Sequence, residues 1–401
     1  MNKEDLLQIQ RVAQVELFKS IDFWLTHGMD QEYGGIYNYL DQTGTIYSTD
    51  KSVWTQGKSA WFFSYLCSNY EQKEEWLTAA KSCLDFLENK CFNRNAKGRM
   101  YFQVTKEGKP LRQRRYCFSE AYYTIANAQY YELTQDPVYL ARAKQSYQLI
   151  YNINNGIIKD PAGIGEKEIS ATRASRSLSI PLIFLNIIQV LAPLDKEKQK
   201  LYDRHAKECI DSIINFHMNV ALQCTLETVG LDGTFWSEIS TGRIINSGHS
   251  FRASWALLDY AKHLGSEGDS IRKTACNILE WTFDKLWDQE YGGFYYLQDC
   301  LGKPTEAFES DLKIWWSHTE ALIATLMAYR DTREEKYLTM FYQVWKYCQD
   351  HFADSKYGEW YGYLNRNGTI KEPSVKGDTY KGSFHLPRCL MMIDQMIQEI
   401  L

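Results

Sequence analysis

A glycine-centred motif that returns six times constrains this chain more than any other feature. Asp30-Gln-Glu-Tyr-Gly-Gly-Ile-Tyr37 recurs as Asp288-Gln-Glu-Tyr-Gly-Gly-Phe-Tyr295 and, more loosely, as Asp354-Ser-Lys-Tyr-Gly-Glu-Trp-Tyr361. A second turn glycine follows each copy: Gly44, Gly302 and Gly368. Weaker copies occur at Lys97-Gly98-Arg99, Asp160-Pro161-Ala162-Gly163 and Val229-Gly230-Leu231-Asp232-Gly233. The marker glycines Gly35, Gly98, Gly163, Gly230, Gly293 and Gly358 stand 63 to 67 residues apart, so six units account for all 401 residues. A fixed period of this kind marks an architecture whose units bury their apolar faces against one another.

The glycine-rich pieces read as short β-hairpins, a turn followed by alternating aromatic residues and a polar turn. The segments between them have room for two helices each. Leu6, Ile9, Val12, Ala13, Phe18 and Ile21 follow the spacing of a helix with one wet face, whereas Pro181 to Leu191 is apolar nearly all round, as an inner helix requires. Six helix–hairpin–helix units with alternating outer and inner helices predict an all-α fold, an (α/α)₆ barrel with short β-hairpins, as a single catalytic domain over residues 1–401. An open solenoid is the alternative, but the end units carry the strongest motifs rather than polar caps.

Composition excludes several classes. The 44% hydrophobic and 24% charged fractions are those of a globular protein. A net charge of −5, with no basic stripe, gives no footprint for nucleic acid. No 18-residue apolar stretch and no apolar leader after Met1 are present, which predicts a cytoplasmic protein without membrane contact. Ten cysteines lack any C-x-x-C pair and read as small buried hydrophobes. The 12 Trp, 28 Tyr and 18 Phe are numerous enough to fill a helical core and still line a sugar site, where aromatic faces pack on ring C–H groups.

Three of eight histidines stand out. His249 follows Asn246-Ser-Gly248, and His385 precedes Pro387; both read as helix entrances, with Pro387 suited to the first helical position. The positive end of a helix dipole disfavours imidazolium and keeps a neutral base near pH 7. His318 lies in Trp315-Trp-Ser-His318. Two neutral bases suit inversion of a carbon next to a carbonyl: one removes the proton, a cationic neighbour holds the enediolate, and the other returns a proton to the opposite face. No cofactor is required. Thr55-Gln-Gly-Lys-Ser59 mimics the end of a phosphate loop, but the first glycine would fall at Ser52 and the flanks read helical. Neither H-E-x-x-H nor a Cys–His cluster suggests a metal.

With these residues in place, the chain resembles the N-acylglucosamine 2-epimerase family along essentially its full length. The resemblance rests on Asp288 to Tyr296, Lys313-Ile-Trp-Trp-Ser-His-Thr-Glu320, Tyr357 to Leu364 and Lys381-Gly-Ser-Phe-His-Leu-Pro-Arg388, with Cys117 to Glu120 and Ser179 to Leu182 beside them. It implies an (α/α)₆ barrel, interconversion of N-acetylglucosamine and N-acetylmannosamine, often a homodimer, and in some members a nucleotide such as ATP as effector. It also implies catalytic roles for His249 and His385 and pocket roles for Glu320, Arg388 and Arg173. Two positions depart from the family pattern. Lys58 stands where Trp-x-Gln-x-Arg is usual, and Arg252 where Gly-His-x-x-Glu is usual. Lysine keeps the charge but loses the bidentate fork; Arg252 reverses a charge one turn from His249, which predicts a lowered pKa there and room for an anionic group.

Other readings remain at this level. An aldose–ketose isomerase differs only in where the second proton lands. Glycoside hydrolysis needs two opposed carboxylates, but Asp and Glu recur at hairpin sites in a way that suits structure better. A sugar-binding barrel without catalysis is the non-enzyme alternative, motivated by Arg252.

Overall fold

The computed structural model describes residues 3–165 and 169–401, and its helices alternate in burial as the sequence patterns require. Six outer–inner pairs follow in chain order: α1 (Lys3–Gly28) and α2 (Val53–Asn69), α3 (Glu74–Lys90) and α4 (Phe118–Thr134), α5 (Pro137–Asn154) and α6 (Ser179–Leu191). The second half continues with α7 (Gln199–Ser212) and α8 (Ser247–Leu264), α9 (Asp269–Leu286) and α10 (Trp315–Thr332), and α11 (Glu335–His351) and α12 (His385–Ile400). Inner α10 buries every residue from Ser317 to Ala328. Outer α9 buries a single stripe, Ala275, Cys276, Ile278, Leu279, Thr282, Phe283 and Leu286, the spacing of one helical face. In α1 the stripe runs through Leu6, Ile9, Ala13, Leu17 and Ile21; Phe18 lies outside it and is exposed.

Strand pairing closes the ring. The strand before an inner helix pairs antiparallel with the hairpin of the following unit: 51–52 with 103–104, 175–177 with 228–230, 244–246 with 297–299, and 313–314 with 363–364. The strand before the last inner helix, 375–377, pairs with 39–41 of the first unit, in register Leu40↔Gly377. Inner helices α2 and α12 also meet, with Gln395 Nε2 donating to Tyr65 Oη at 2.8 Å. An open solenoid has no such pairing, and the fold is an (α/α)₆ barrel.

The repeated aspartate of the hairpins is structural. Asp30, Asp288 and Asp354 each pair with a buried lysine, Lys51, Lys313 and Lys376, at 2.5, 2.9 and 3.0 Å. Each lysine also donates to the carbonyl of a hairpin glycine, Gly34, Gly293 or Gly358. These carboxylates are spent on turn geometry, which removes them as a hydrolytic pair. A side chain from the neighbouring inner helix then fastens the hairpin amide. Gln56 Oε1 accepts from the Ile36 N–H at 2.8 Å, Glu120 Oε1 from the Met100 N–H at 2.6 Å, and His318 Nε2 from the Phe294 N–H at 3.0 Å. His318 is therefore a clasp. Thr55 to Ser59 lies inside α2 and forms no strand-to-helix phosphate loop.

Five marker glycines, Gly35, Gly98, Gly163, Gly293 and Gly358, adopt φ between +62° and +78°, where a Cβ is penalised. Gly230 departs from the expected pattern. It sits in the strand Thr228–Gly230, and the left-handed residue of that unit's first turn is Gln223, φ +49°, between strands 218–219 and 224–225. All ten cysteines are free, and eight are buried.

Removing one partner of a buried ion pair leaves an uncompensated charge and costs about 3–5 kcal/mol. Lys51→Met, at a side chain 0% exposed against 2% for Asp30, is expected to lower the unfolding free energy by that amount, read as a lower denaturant midpoint. An unchanged midpoint would show that Asp30 takes up a proton or water instead.

Candidate active site

The inner helices begin at the hairpin end of the barrel, and their first turns surround a cavity of about 1100 Å³. Every inner helix contributes to its lining: Lys58, Tyr122, Ser179, His249, Trp316 and His385 come from α2, α4, α6, α8, α10 and α12 in turn. Trp54, Tyr296, Trp315 and Tyr363 extend the aromatic wall. Amide N–H groups in a helix's first turn lack intrahelical acceptors, so this end of each helix is polar and positive.

His249 is the third residue of α8, and Asn246 caps that helix, its Oδ1 accepting from the His249 N–H at 3.2 Å. The imidazole Nδ1 lies 2.8 Å from Glu227 Oε2. A carboxylate only accepts, so Nδ1 carries the hydrogen and Nε2 is left as the free basic atom. The glycine before it has a steric reason: a Cβ on Gly248 would collide with the Trp316 ring. That indole packs against both candidate histidines, with centroids 5.2 Å from His249 and 5.8 Å from His385.

His385 is the first residue of α12, which places Pro387 third rather than first. Proline remains tolerable there because the first four helix N–H groups have no intrahelical acceptor. His385 Nδ1 lies 3.0 Å from Glu320 Oε1, so here too the carboxylate fixes the tautomer and frees Nε2. Burial is the main force pushing the His385 pKa down to about 3; Lys58 and Arg388 reinforce it, and the hydrogen bond to Glu320 opposes it. His385 is a neutral imidazole at any physiological pH.

Glu320 is fully buried beneath His385 and does not line the cavity. Its Oε2 accepts from Trp255 Nε1 at 2.7 Å, and its Oε1 also pairs with Arg388 Nη2. Burial alone would raise its pKa, but Arg388, the His385 hydrogen bond and Arg252 together hold it well below the usual carboxylate range. Arg388 pairs with Glu320 and lines a second cavity of about 360 Å³ rather than the first, though its charge acts on Lys58 and His385 in the first. Arg173 ends the short helical turn Ser170–Arg173 at the cavity mouth, exposed and stacked 5.7 Å over Trp236. Among the described residues no group of three or more His, Cys, Asp or Glu is arranged to hold a metal ion, and no helix is long and apolar enough to cross a membrane.

The profile of the family described as N-acylglucosamine 2-epimerase (GlcNAc 2-epimerase) matches residues 34–387. The N-acylglucosamine 2-epimerase of Rattus norvegicus is 36% identical over 408 residues, covering 100% of this chain and 95% of its own. That of Homo sapiens is 33% identical over 398 residues, covering 98% and 90%. The chain belongs to the N-acylglucosamine 2-epimerase family. It is an epimerase, and hence an isomerase. The solved cellobiose 2-epimerase of Bacillus thermoamylovorans B4167 shares the fold, with a TM-score of 0.80 at 21% identity, covering 97% of this chain and 99% of the other.

The two positions that depart from the 2-epimerase pattern have distinct surroundings. Lys58 is 3% exposed, and among the described residues its ammonium has no hydrogen-bond or ion-pair partner. It rests instead over the rings of Tyr122, Phe384 and Trp54 at 4.8, 5.5 and 5.7 Å. Burial pushes its pKa down to about 7, with Arg252 and Arg388 adding to the shift. Arg252 lines the same cavity but turns from His249: its Nη2 donates to Asn186 Oδ1 at 2.8 Å, and its guanidinium lies over Trp255 at 5.8 Å. The carboxylate beside His249 comes instead from Glu227, a residue the sequence reading passes over. Glu227 carries no motif, and its place before Thr228 gains meaning only when strand 228–230 pairs with 175–177.

Proposed function

We propose that this chain interconverts N-acetylglucosamine and N-acetylmannosamine by proton transfer at carbon 2 of the ring-opened sugar. The observation that carries this reading is the pair of carboxylate-oriented imidazoles, His249 and His385, on one cavity and one indole. Opening the ring exposes the carbonyl at carbon 1, which acidifies the C–H bond at carbon 2. One imidazole Nε2 removes that proton, and the bond's electrons move through carbon 1 onto the carbonyl oxygen, giving an enolate whose carbon 2 still carries the acylamino group. The other histidine returns a proton to the opposite face, inverting the centre and restoring the aldehyde. Electrons and protons balance without a redox cofactor.

Lys58, which lines the cavity, holds the enolate oxygen, whose charge appears only along the reaction path, while Arg252, held by Asn186, borders the sugar in the same cavity. Glu320 and Arg388 hold His385 from behind; Arg173 meets the sugar at the mouth. The names of the mammalian relatives support the N-acylated substrate. In this reading the whole chain is one catalytic domain of a cytoplasmic homodimer, and a nucleotide acts only as an effector outside the chemistry.

The test is reaction in deuterium oxide with each N-acylated epimer. Deuterium at carbon 2 of an inverted aldose supports the reading; inverted product without deuterium at carbon 2, or no inversion of either epimer, overturns it. Lys58 adds a pH dependence with a defined sign. Its folded pKa of about 7 lies below lysine's ordinary 10.5, so the cation is lost as pH rises through about 7, and kcat should fall across that range. Stability moves the other way: the unfolded chain binds more protons between pH 7 and 10.5, so folding gains over that window. Lys58→Arg should move the alkaline limb out of reach, since guanidinium stays charged. A wild-type kcat that is flat to pH 9 would remove Lys58 from the reaction.

A further inference from the structure

We propose that Glu227 is the positioning residue of His249, supplying from just before strand 228–230 the carboxylate that position 252 of this chain lacks. The inference rests on the two-histidine reading above and adds a residue to it. Glu227 is held at both ends. Its backbone N–H donates to the Ile244 carbonyl at 2.9 Å, and its carbonyl accepts from the Leu178 N–H at 2.9 Å. Those residues lead into α8 and α6, so Glu227 is clamped between the entrances of two inner helices. Its Oε1 accepts from Ser177 Oγ at 3.3 Å, leaving Oε2 for His249 at 2.8 Å.

The two carboxylate–imidazole pairs are built alike but charged differently. Glu320 shares its negative charge with Arg388, so little is left for a proton on His385. Among the described residues Glu227 has no ion-pair partner other than His249. It fixes the Nδ1–H tautomer, aims Nε2 at the cavity, and balances the charge His249 carries while it holds the substrate's proton. Arg252 leaves this arrangement undisturbed because Asn186 takes its guanidinium.

Two histidines on opposite faces give a readout that a merely structural role would not move. The carbon-2 proton of one epimer leaves to His249 and that of the other to His385. In Glu227→Ala, epimerisation should fall by about 100-fold in both directions, the scale of general acid–base assistance, with KM within about twofold. Solvent deuterium exchange should persist near the wild-type rate from the epimer served by His385 and collapse from the other. Glu227→Gln keeps an acceptor for Nδ1–H without the charge and should lose about 10-fold by the same pattern. The Glu227 side chain is 20% exposed, so both variants should melt with the wild type. Equal loss of exchange from both epimers, or epimerisation within twofold of wild type, would overturn the assignment. Absence of carbon-2 exchange in the wild type would instead overturn the two-histidine reading itself.

Discussion

His385→Asn is expected to lower kcat for epimerisation by about 10³-fold, within the range that general acid–base groups contribute. The imidazole is neutral at rest because burial, Lys58 and Arg388 all oppose a second proton. Glu320 holds Nδ1–H, so the basic lone pair is the one that faces the cavity. Asparagine keeps a donor toward Glu320 but has no basic nitrogen. Loss should therefore appear in turnover, while KM stays close to the wild-type value. Exchange at carbon 2 should survive from the epimer that His249 deprotonates. Wild-type-like exchange from both epimers would take His385 out of the mechanism.

Glu320→Gln is expected to combine the largest loss of stability with a loss of activity. Among the described residues Glu320 is the one carboxylate pairing with Arg388 and His385, and it also attracts Arg252. Neutralising it leaves Lys58, Arg252 and Arg388 close together and uncompensated in a buried place. Breaking a buried pair in this way costs about 3–5 kcal/mol, read as a lower midpoint in urea. Added phosphate or chloride should recover stability in the variant more than in the wild type, because a bound anion replaces the missing charge. An unfolding free energy within about 1 kcal/mol of wild type would mean that the cluster discharges through Lys58 instead.

The histidines were legible because their signals are local. Asn246 before His249 and Pro387 after His385 are helix-start residues, and each histidine does stand in a first helical turn. The same locality misplaced details. Gly230 matched the marker spacing because its Asp232-Gly233 neighbour imitates the first turn, whereas the strained first-turn residue is Gln223. Glu320 and Arg388 were expected in the substrate pocket, but Glu320 sits behind His385, and Arg388 lines the second cavity. Arg252 threatened His249 by helical spacing alone; Asn186, on another helix, turns it aside.

By itself the sequence determined six helix–hairpin–helix units, which helices are inner, and the family. Turn glycines and apolar periodicity record backbone conformation and burial residue by residue, so they need no knowledge of the whole. Tertiary structure decided closure, through strand 375–377 pairing with 39–41, and it decided which carboxylate each histidine uses. It also left Lys58 against aromatic faces, with no paired anion among the described residues. These are pairings between side chains brought together only when the ring closes, and no local pattern encodes a partner that the rest of the fold must deliver.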